Sequence, residues 1–258
     1  MHLALGLAVF SVAGAGAADL EEVRKAGRLR VVVAADESAE TFARAPGPAP
    51  GFERELVESF ARLQGLELEV VTAPGYADRI PLLLRGGGDV IVAIFDTEDR
   101  RKQVAFTGEV MPTHNVAVTL APAAVVSDVA GLKALPAIGA IKGAKPAEAA
   151  AEAGVPASSL RFFDSRQALL SALRSKQVAA VILPVSELAI AERDFPGLQA
   201  GVIVGPPGRV AWAVRKEDEA LRRALDEHIT NTRRGPTWGR LIVKYFGDQA
   251  LTVLGRAR

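Results

Sequence analysis

The sequence predicts an α/β protein with two α/β units in tandem, joined by two crossing strands. Short β-branched runs alternate with helical patterns along the chain, as expected for sheets covered by helices. At least two of the runs are apolar throughout their middle, which is typical of parallel strands buried on both faces. The 258 residues suffice for one large domain or two of ordinary size.

The N-terminus predicts a signal peptide. Residues 1–18 contain no Lys, Arg, Asp or Glu, and the apolar stretch 3–12 has the length of a signal-peptide core, too short to span a bilayer. Small residues follow at 13–18, although His2 stands where a Lys or Arg is expected. A buried N-terminal helix is the alternative, disfavoured by Gly and Ala in its second half. We therefore expect a periplasmic protein whose mature chain starts near Asp19.

The first α/β unit follows the predicted signal peptide. In its first helix, Leu56, Val57, Phe60 and Leu63 recur at helical spacing, and Gly65 ends the pattern. In chain order the unit comprises strand 29–34, helix 53–64, strand 66–72, a short helix around 80–84 and strand 89–95. Such a βαβαβ unit needs helices on both faces of its sheet.

The second unit has a similar pattern without sequence similarity to the first. Its first helix has Pro146 in the first turn, and its second is capped by Asp164 or Ser165. The elements are strand 137–141, helix 146–153, strand 160–163, helix 165–175 and strand 177–183. Segments 115–121 and 210–214 are the predicted crossing strands, and helices 218–232 and 237–246 close the chain.

Composition and motifs exclude several classes of function. With 31 Lys+Arg against 30 Asp+Glu, the chain has no surplus of cations for nucleic-acid binding. The absence of cysteine excludes disulfides, thiolate metal sites and a cysteine nucleophile. The three histidines lack metal-ligand spacing, and neither a phosphate loop nor a Gly-x-Ser-x-Gly elbow occurs. We predict no metal, no cofactor and no enzymatic activity.

Four segments carry a resemblance to a known family. They are residues 51–56, which begin Gly-Phe-Glu; residues 80–91 with 98–107, which contain Ile-Pro and Gly-Asp followed by Glu-Asp-Arg-Arg; residues 168–181; and residues 213–218 with 235–247. Their order and spacing span almost the whole predicted mature chain. The sequence therefore resembles the bacterial extracellular solute-binding proteins of family 3, the polar amino-acid binders of ABC importers.

The resemblance implies a two-lobed periplasmic-binding-protein fold of type II. Lobe one would comprise residues 19–113 plus 211–258, and lobe two residues 114–210. The ligand would lie in the cleft between them, beyond the carboxyl ends of the strands, and hinge closure would enclose it. The implied partners are a small carboxylate or amino-acid-like ligand and an ABC permease, and a monomer is expected.

The resemblance also implies ligand contacts. Arg100 matches the arginine that grips the ligand's carboxylate, a task that suits the planar guanidinium fork. Tyr76 matches an aromatic residue that packs on the ligand, while Phe42 and Asp36 match positions in the loop after the first strand. The remaining predicted ligand-binding residues are Asp96, in an otherwise apolar segment, and Lys145, which begins a helix.

Several matched positions depart from the family pattern. Pro184 stands where the family has the aspartate that binds the ligand's ammonium group, and an unpaired ammonium would be costly to bury. Ala39 and Ala144 replace an aromatic and a hydroxyl residue. Glu187 would substitute for the aspartate only if the loop is rearranged, which we do not expect. The pattern favours an anionic ligand without an α-ammonium group, and an empty, non-binding cleft is also compatible with it.

Three functions follow from this reading. The leading one is a periplasmic solute-binding protein that delivers its ligand to an ABC importer. The second is a binding or interaction module associated with a periplasmic enzyme or sensor. The third is a lyase similar to cyclohexadienyl dehydratases, with Asp96 or Glu187 as the acid–base group. Some modules of the family are fused to a lytic transglycosylase domain, for which a chain ending at Arg258 is expected to have no room.

Overall fold

The computed structural model describes residues 18–247, and helices and strands alternate in it as predicted. The strands of this part are β1 (Arg28–Ala34), β2 (Glu67–Ala73), β3 (Val90–Phe95), β4 (Ala105–Phe106), β5 (Met111–Leu120), β6 (Ile138–Ile141), β7 (Leu160–Phe163), β8 (Ala180–Pro184) and β9 (Leu198–Val214). The helices are α1 (Ala18–Ala26), α2 (Ala39–Phe42), α3 (Phe52–Leu63), α4 (Arg79–Leu84), α5 (Glu98–Arg101), α6 (Val129–Lys133), α7 (Lys145–Glu152), α8 (Arg166–Arg174), α9 (Val185–Asp194), α10 (Glu219–Arg234) and α11 (Pro236–Phe246).

The strands form two parallel groups connected by antiparallel strands. The order is β2-β1-β3-β9-β5-β8-β6-β7, with β4 paired to β9. Pairs β1–β2 and β1–β3 are parallel, as are β6–β7 and β6–β8. Strands β5 and β9 pair with each other in antiparallel fashion and link the two groups. Both crossing strands are therefore present, as the sequence predicts.

Strand β9 is much longer than the predicted segment 210–214. It begins at Leu198 and runs beside β5 through Gly205, Pro206, Pro207 and Gly208, with register shifts along the pairing. The Gly-Pro-Pro-Gly sequence is typical of a loop, because proline lacks the N–H that a strand donates. The prediction stopped at this sequence, whereas the pairing with β5 continues past it.

Each parallel group has its own apolar core. The first includes Phe52, Phe60 and Trp212, and the second includes Leu169 and Val181, all fully or almost fully buried. Helix α9 packs against both, because Ile190 belongs to the first core while Leu188 and Ala191 belong to the second. The predicted lobe boundaries stay a prediction.

The predicted signal peptide lies outside the described residues, except that Ala18 begins α1. Among residues 18–247, no helix is both long and apolar enough to cross a membrane.

Candidate functional site

A cavity of about 80 Å³ lies between the two predicted lobes, with room for roughly five to eight water-sized groups. Its wall is formed from the loop after β1, from α3, α4 and α5, and from the start of α7 and of α9. The titratable residues in this wall are Glu37, Glu53, Tyr76, Arg79, Arg100, Lys145 and Glu187. We call this space the cleft cavity.

Arg100 spans the cleft. It lies on α5, whose first turn is fixed by the Thr97 hydroxyl accepting from the Arg100 backbone N–H at 3.3 Å. Its guanidinium donates through Nη1 to the Phe95 carbonyl at 2.9 Å, and through Nη2 to Glu148 Oε1 at 3.2 Å and to the Gly143 carbonyl at 3.5 Å. Arg100 is 9% exposed, and this burial lowers its pKa, opposed by Glu148. An arginine remains charged nonetheless.

Helix α7 supplies the acid that faces Arg100. Glu148 stands in the first turn of this helix, where a carboxylate is favoured by the exposed N–H groups. Lys145 also lines the cleft cavity, but its Nζ points along its own helix to Glu152 Oε1 at 2.7 Å and Glu148 Oε2 at 3.5 Å. The positive charge of Lys145 is therefore already compensated.

A second charged group lies deeper, around Arg79. Its Nη1 donates to the carbonyls of Val92 and Ala93 at 3.2 and 3.1 Å, and its guanidinium stacks 5.0 Å from the centre of the Tyr76 ring. Glu37 Oε2 lies 3.9 Å from the same Nη1, with a side chain only 5% exposed. Burial lowers the pKa of Arg79, and Glu37 opposes this shift.

Glu53 is the other buried carboxylate of this group. Its Oε2 accepts from the Trp212 indole N–H, and it also accepts from the Ala93 backbone N–H. Within residues 18–247, no hydrogen-bond donor reaches Glu53 Oε1 or Glu37 Oε2. Burial raises the pKa of Glu53 to about 7 and that of Glu37 to about 8, because removal from water disfavours the charged form.

Helix α9 brings a further carboxylate into the wall. Pro184 ends β8 and stands at the N-cap of this helix, and Glu187 follows in its first turn. Glu187 Oε2 accepts from Arg166 Nη1 at 2.8 Å, while the Arg166 backbone N–H donates to Asp36 Oδ2 at 2.5 Å. Burial raises the pKa of Glu187, opposed by Arg166. Glu187 therefore lines the cleft cavity from a helix, and whether it takes the place of the family's aspartate stays a prediction.

The structure brings together three of the six predicted ligand-binding residues. Arg100, Tyr76 and Lys145 line the cleft cavity. Asp36 stands beside it, bonded to Arg166 and accepting at its carbonyl from the Tyr76 hydroxyl at 3.4 Å. Whether these four bind a ligand stays a prediction.

Phe42 and Asp96 do not line the cleft cavity. Phe42 is fully buried in the first core, where its ring packs beneath the Arg54 guanidinium at 5.6 Å. Asp96 is held between Arg101 and Arg209, which donate to it at 2.5 and 2.7 Å. Apolar packing in one case and charge neutralisation in the other keep these side chains away from the cavity.

The sequence reasoning missed Arg79, Glu37 and Arg166, and it treated Glu53 only as part of a motif. For Arg79 and Glu53, the sequence pattern did indicate a buried charge. Arg79 precedes the fully buried Leu83 by four residues, and Glu53 precedes the fully buried Val57 by four, so each occupies the apolar face of its helix. A charged residue on such a face indicates a buried ion pair or a site.

Curated relatives of the chain are enzymes. Membrane-bound lytic murein transglycosylase F from Stutzerimonas stutzeri (strain A1501) is 28% identical, and the alignment covers 97% of this chain and 53% of that protein. The chain thus spans about half the length of the curated relatives it matches. The prediction of a protein without enzymatic activity is contradicted by these relatives, and the argument from length against a transglycosylase no longer stands.

Solved structures confirm the predicted type II two-lobed fold. A mutant of ArgBP from T. maritima has a TM-score of 0.79 at 24% identity, covering 89% of this chain and 100% of that one. The ancestral amino acid-binding protein AncCDT-1, a precursor of cyclohexadienyl dehydratase, has a TM-score of 0.78 at 22% identity, covering 88% and 99%. At these identities the likeness shows the fold.

The family itself follows from the sequence match over most of the chain. The model of the family described as bacterial extracellular solute-binding proteins, family 3, matches residues 29–248. This range includes both parallel strand groups, both crossing strands and every titratable residue of the cleft cavity. The chain belongs to the bacterial extracellular solute-binding proteins of family 3.

Proposed function

We propose that this chain is a solute-binding domain that closes its lobes on a small carboxylate-bearing ligand gripped by Arg100. One observation carries the proposal: the Arg100 guanidinium, buried at the cleft, already binds a carboxylate, that of Glu148. A guanidinium offers its N–H groups in a planar fork that suits a carboxylate. The contact with Glu148 supports a carboxylate as the group that Arg100 accepts.

A ligand carboxylate can replace Glu148 at little cost. The Glu148 side chain is 42% exposed, so it returns to water without an uncompensated buried charge. The ligand carboxylate takes the place of Glu148 on the buried Arg100, so the guanidinium is not left as an unpaired buried charge. Its second partner, Lys145, lies at the same helix start and remains available to the displaced carboxylate.

We further propose that the domain works in murein processing, in the periplasm, as the solute-binding part of a protein like its curated relatives or as their partner. Their names and their coverage of 92–97% of this chain support this setting. Delivery of the solute to an ABC importer is the second candidate, favoured by the likeness to amino-acid-binding proteins of such importers.

Thermal unfolding with a panel of ligands tests both parts. The probes are amino acids, keto acids, dicarboxylates, aromatic acids, sugars and the soluble fragments of digested murein. A probe at a hundredfold excess over its Kd stabilises by about 2.7 kcal/mol, which raises Tm by roughly 5–10 °C for a chain of this size. We expect Arg100→Ala to abolish that rise.

Arg101→Ala is the matched control, because Arg101 lies on the same helix and bonds Asp96, which keeps Arg209 as a partner. A rise that survives Arg100→Ala, or a response to sugars alone, contradicts the carboxylate site. Stabilisation by murein fragments supports the murein setting. Stabilisation by free amino acids alone supports the importer.

A further inference from the structure

Around Glu37, acidic side chains outnumber basic ones. The carboxylates that interact with Glu37 are those of Asp36, Glu53 and Glu187, and Arg79 is the cation that interacts with it. Arg166 neutralises Glu187 through the bond at 2.8 Å. Glu37 and Glu53 are therefore left to share the single guanidinium of Arg79.

Two oxygens of this group find no hydrogen-bond donor in the part of the chain that the structure describes. Glu37 Oε2 is buried, and the nearest cation, Arg79 Nη1, is 3.9 Å away, too far for a hydrogen bond. Glu53 Oε1 is likewise buried without a donor, in a residue 1% exposed. Both side chains line the cleft cavity. A buried carboxylate oxygen without a donor is costly, and a donor entering from the cavity removes that cost.

We propose that Glu37, with Glu53 beside it, forms a binding subsite for the protonated amine of a ligand whose carboxylate is held by Arg100. This inference rests on the proposed function and deepens it, since it makes the ligand a small zwitterion. Glu37 and Glu53 belong to the predicted first lobe, and Pro184 lines the same cavity. The subsite would take over the task of the ammonium partner that Pro184 removes, and it differs from the sequence-based expectation of an anionic ligand without an ammonium group.

A cation fits this subsite better than a neutral donor. Acidic side chains outnumber guanidiniums around Glu37, so a bound ammonium compensates the charge of Glu37 once it ionises, whereas a hydroxyl does not. The ionisable groups that face Glu37 are Asp36 in its own loop, Glu53 on α3, Tyr76 before α4, Arg79 on α4 and Glu187 on α9. Of these, Arg79 is the one cation, and it is also engaged by the carbonyls of Val92 and Ala93.

Matched pairs of probes test the inference by calorimetry on the purified chain. L-alanine is compared with L-lactate, and L-glutamate with 2-hydroxyglutarate, so that each pair differs by an amine against a hydroxyl. We expect the amine to bind at least about tenfold tighter, since hydrogen bonds between charged groups are the strong ones. Glu37→Gln is expected to erase this preference and Glu37→Asp to retain part of it. Glu67→Gln, which removes an exposed carboxylate on β2, is expected to change nothing.

A second measurement uses the wild type alone, so its result does not depend on whether the variants fold. Because burial raises the pKa of Glu37 to about 8, the affinity for the amine probe is expected to rise by roughly threefold or more from pH 6 to pH 8. The affinity for its hydroxyl partner is expected not to rise.

Equal affinities within each pair, or a preference unchanged in Glu37→Gln, would overturn the amine subsite and leave the carboxylate site standing. Binding of neither member of any pair by the wild type would overturn the amine subsite. The proposed function falls with it only if the whole panel also fails to respond.

Discussion

Burial of a carboxylate disfavours its charged form, and at Glu53 this effect couples folding to pH. Glu53 is enclosed by the first core and bonded to Trp212 and to the Ala93 N–H, yet burial still raises its pKa to about 7. The folded state therefore binds a proton at Glu53 that the unfolded state releases near pH 4.5. The resulting stability is fully present below about pH 4.5 and is lost as pH rises through 7.

We expect Glu53→Gln to gain stability relative to the wild type as pH rises from 5 to 7.5. Glutamine mimics the protonated acid and keeps an oxygen for the Trp212 N–H, but it does not ionise. The gain in the free energy of unfolding is expected to be roughly 1–3 kcal/mol, at about 1.4 kcal/mol for each unit of pKa shift. Urea unfolding at several pH values measures it.

Taking the difference between variant and wild type cancels the contribution of other titrating groups to the pH dependence of stability. These groups include His114 and His228, whose pKa values are lowered by burial. Glu67→Gln serves as the exposed control. A difference between Glu53→Gln and the wild type that stays constant with pH would show that Glu53 does not titrate in this range.

The position of a residue in a family motif could be matched from the sequence, whereas the surroundings that burial creates could not. Arg100 was matched through the family resemblance and lines the cleft cavity, while its role stays a prediction. Phe42 was matched in the same way and Asp96 stands in an otherwise apolar segment, but apolar packing in the first core holds Phe42 away from the cavity, and Arg101 and Arg209 hold Asp96 away from it. Neighbours of that kind depend on tertiary contacts, which one sequence does not contain.

At the scale of elements, the strand β3 is shaped by an irregularity at the cleft. Its pairing with β9 shifts register between Ile91 and Ile94, and Ala93 between them has a φ of 51°, in the left-handed region that favours glycine. Glu53 accepts from the Ala93 N–H and Arg79 donates to its carbonyl, so both backbone groups of Ala93 are held by buried side chains. The same two residues thus maintain the bulge and border the cavity.

Replacing alanine by glycine is expected to have opposite effects at two buried strand positions. Ala93→Gly removes the strain of the left-handed conformation, which costs a non-glycine residue about 1–2 kcal/mol. It also gives the unfolded chain more conformational freedom, which destabilises the folded state by about 0.4–1 kcal/mol. We expect it to be neutral or to stabilise by up to about 1 kcal/mol. Ala211→Gly in β9, at a buried position without positive φ, is expected to destabilise by about 1 kcal/mol. Guanidinium unfolding compares them, and equal losses would show that Ala93 is not strained.

Most long elements were predictable because their apolar periodicity is strong, as in α3 and α10. Helix α9 was not, since it starts directly at Pro184 and its apolar residues serve two cores instead of one stripe. The same helix carries Glu187 into the cavity. The helix that the sequence did not predict is therefore one that contributes a carboxylate to the cavity wall.

At the scale of the whole molecule, several contacts join the two predicted lobes across the cleft. Among them, Arg100 bonds Glu148, the Arg166 N–H donates to Asp36, and Gly143 approaches Ala77. Crossing strands β5 and β9 provide the connection about which such lobes close. A ligand held by Arg100 and Glu37 favours the closed state only through the contacts that it also makes with the second-lobe wall of the cavity, which α7 and α9 supply.

Gly143→Ala tests whether this closure is needed for binding. Gly143 has a φ of 70°, and a Cβ there would lie 2.7 Å from the Ala77 Cβ, so the lobes must separate to admit it. Gly154→Ala is the matched control, since Gly154 has a φ of 79° but its nearest neighbour would be Lys133 Nζ at 3.5 Å. Both variants are expected to lose about 1 kcal/mol of stability from the backbone strain.

Only Gly143→Ala is expected to weaken binding, because the closed state of this variant contains a steric clash that ligand binding must overcome. The affinity is measured with the probe that raises the wild-type Tm most, and we expect it to fall by about tenfold or more. Small-angle X-ray scattering with saturating probe is expected to give it a larger radius of gyration than the control. Equal affinities and equal radii in the two variants would mean that the ligand binds without the approach of Gly143 to Ala77. In that case contacts from the second lobe would add nothing to the affinity for a ligand held by Arg100 and Glu37, which both belong to the first predicted lobe.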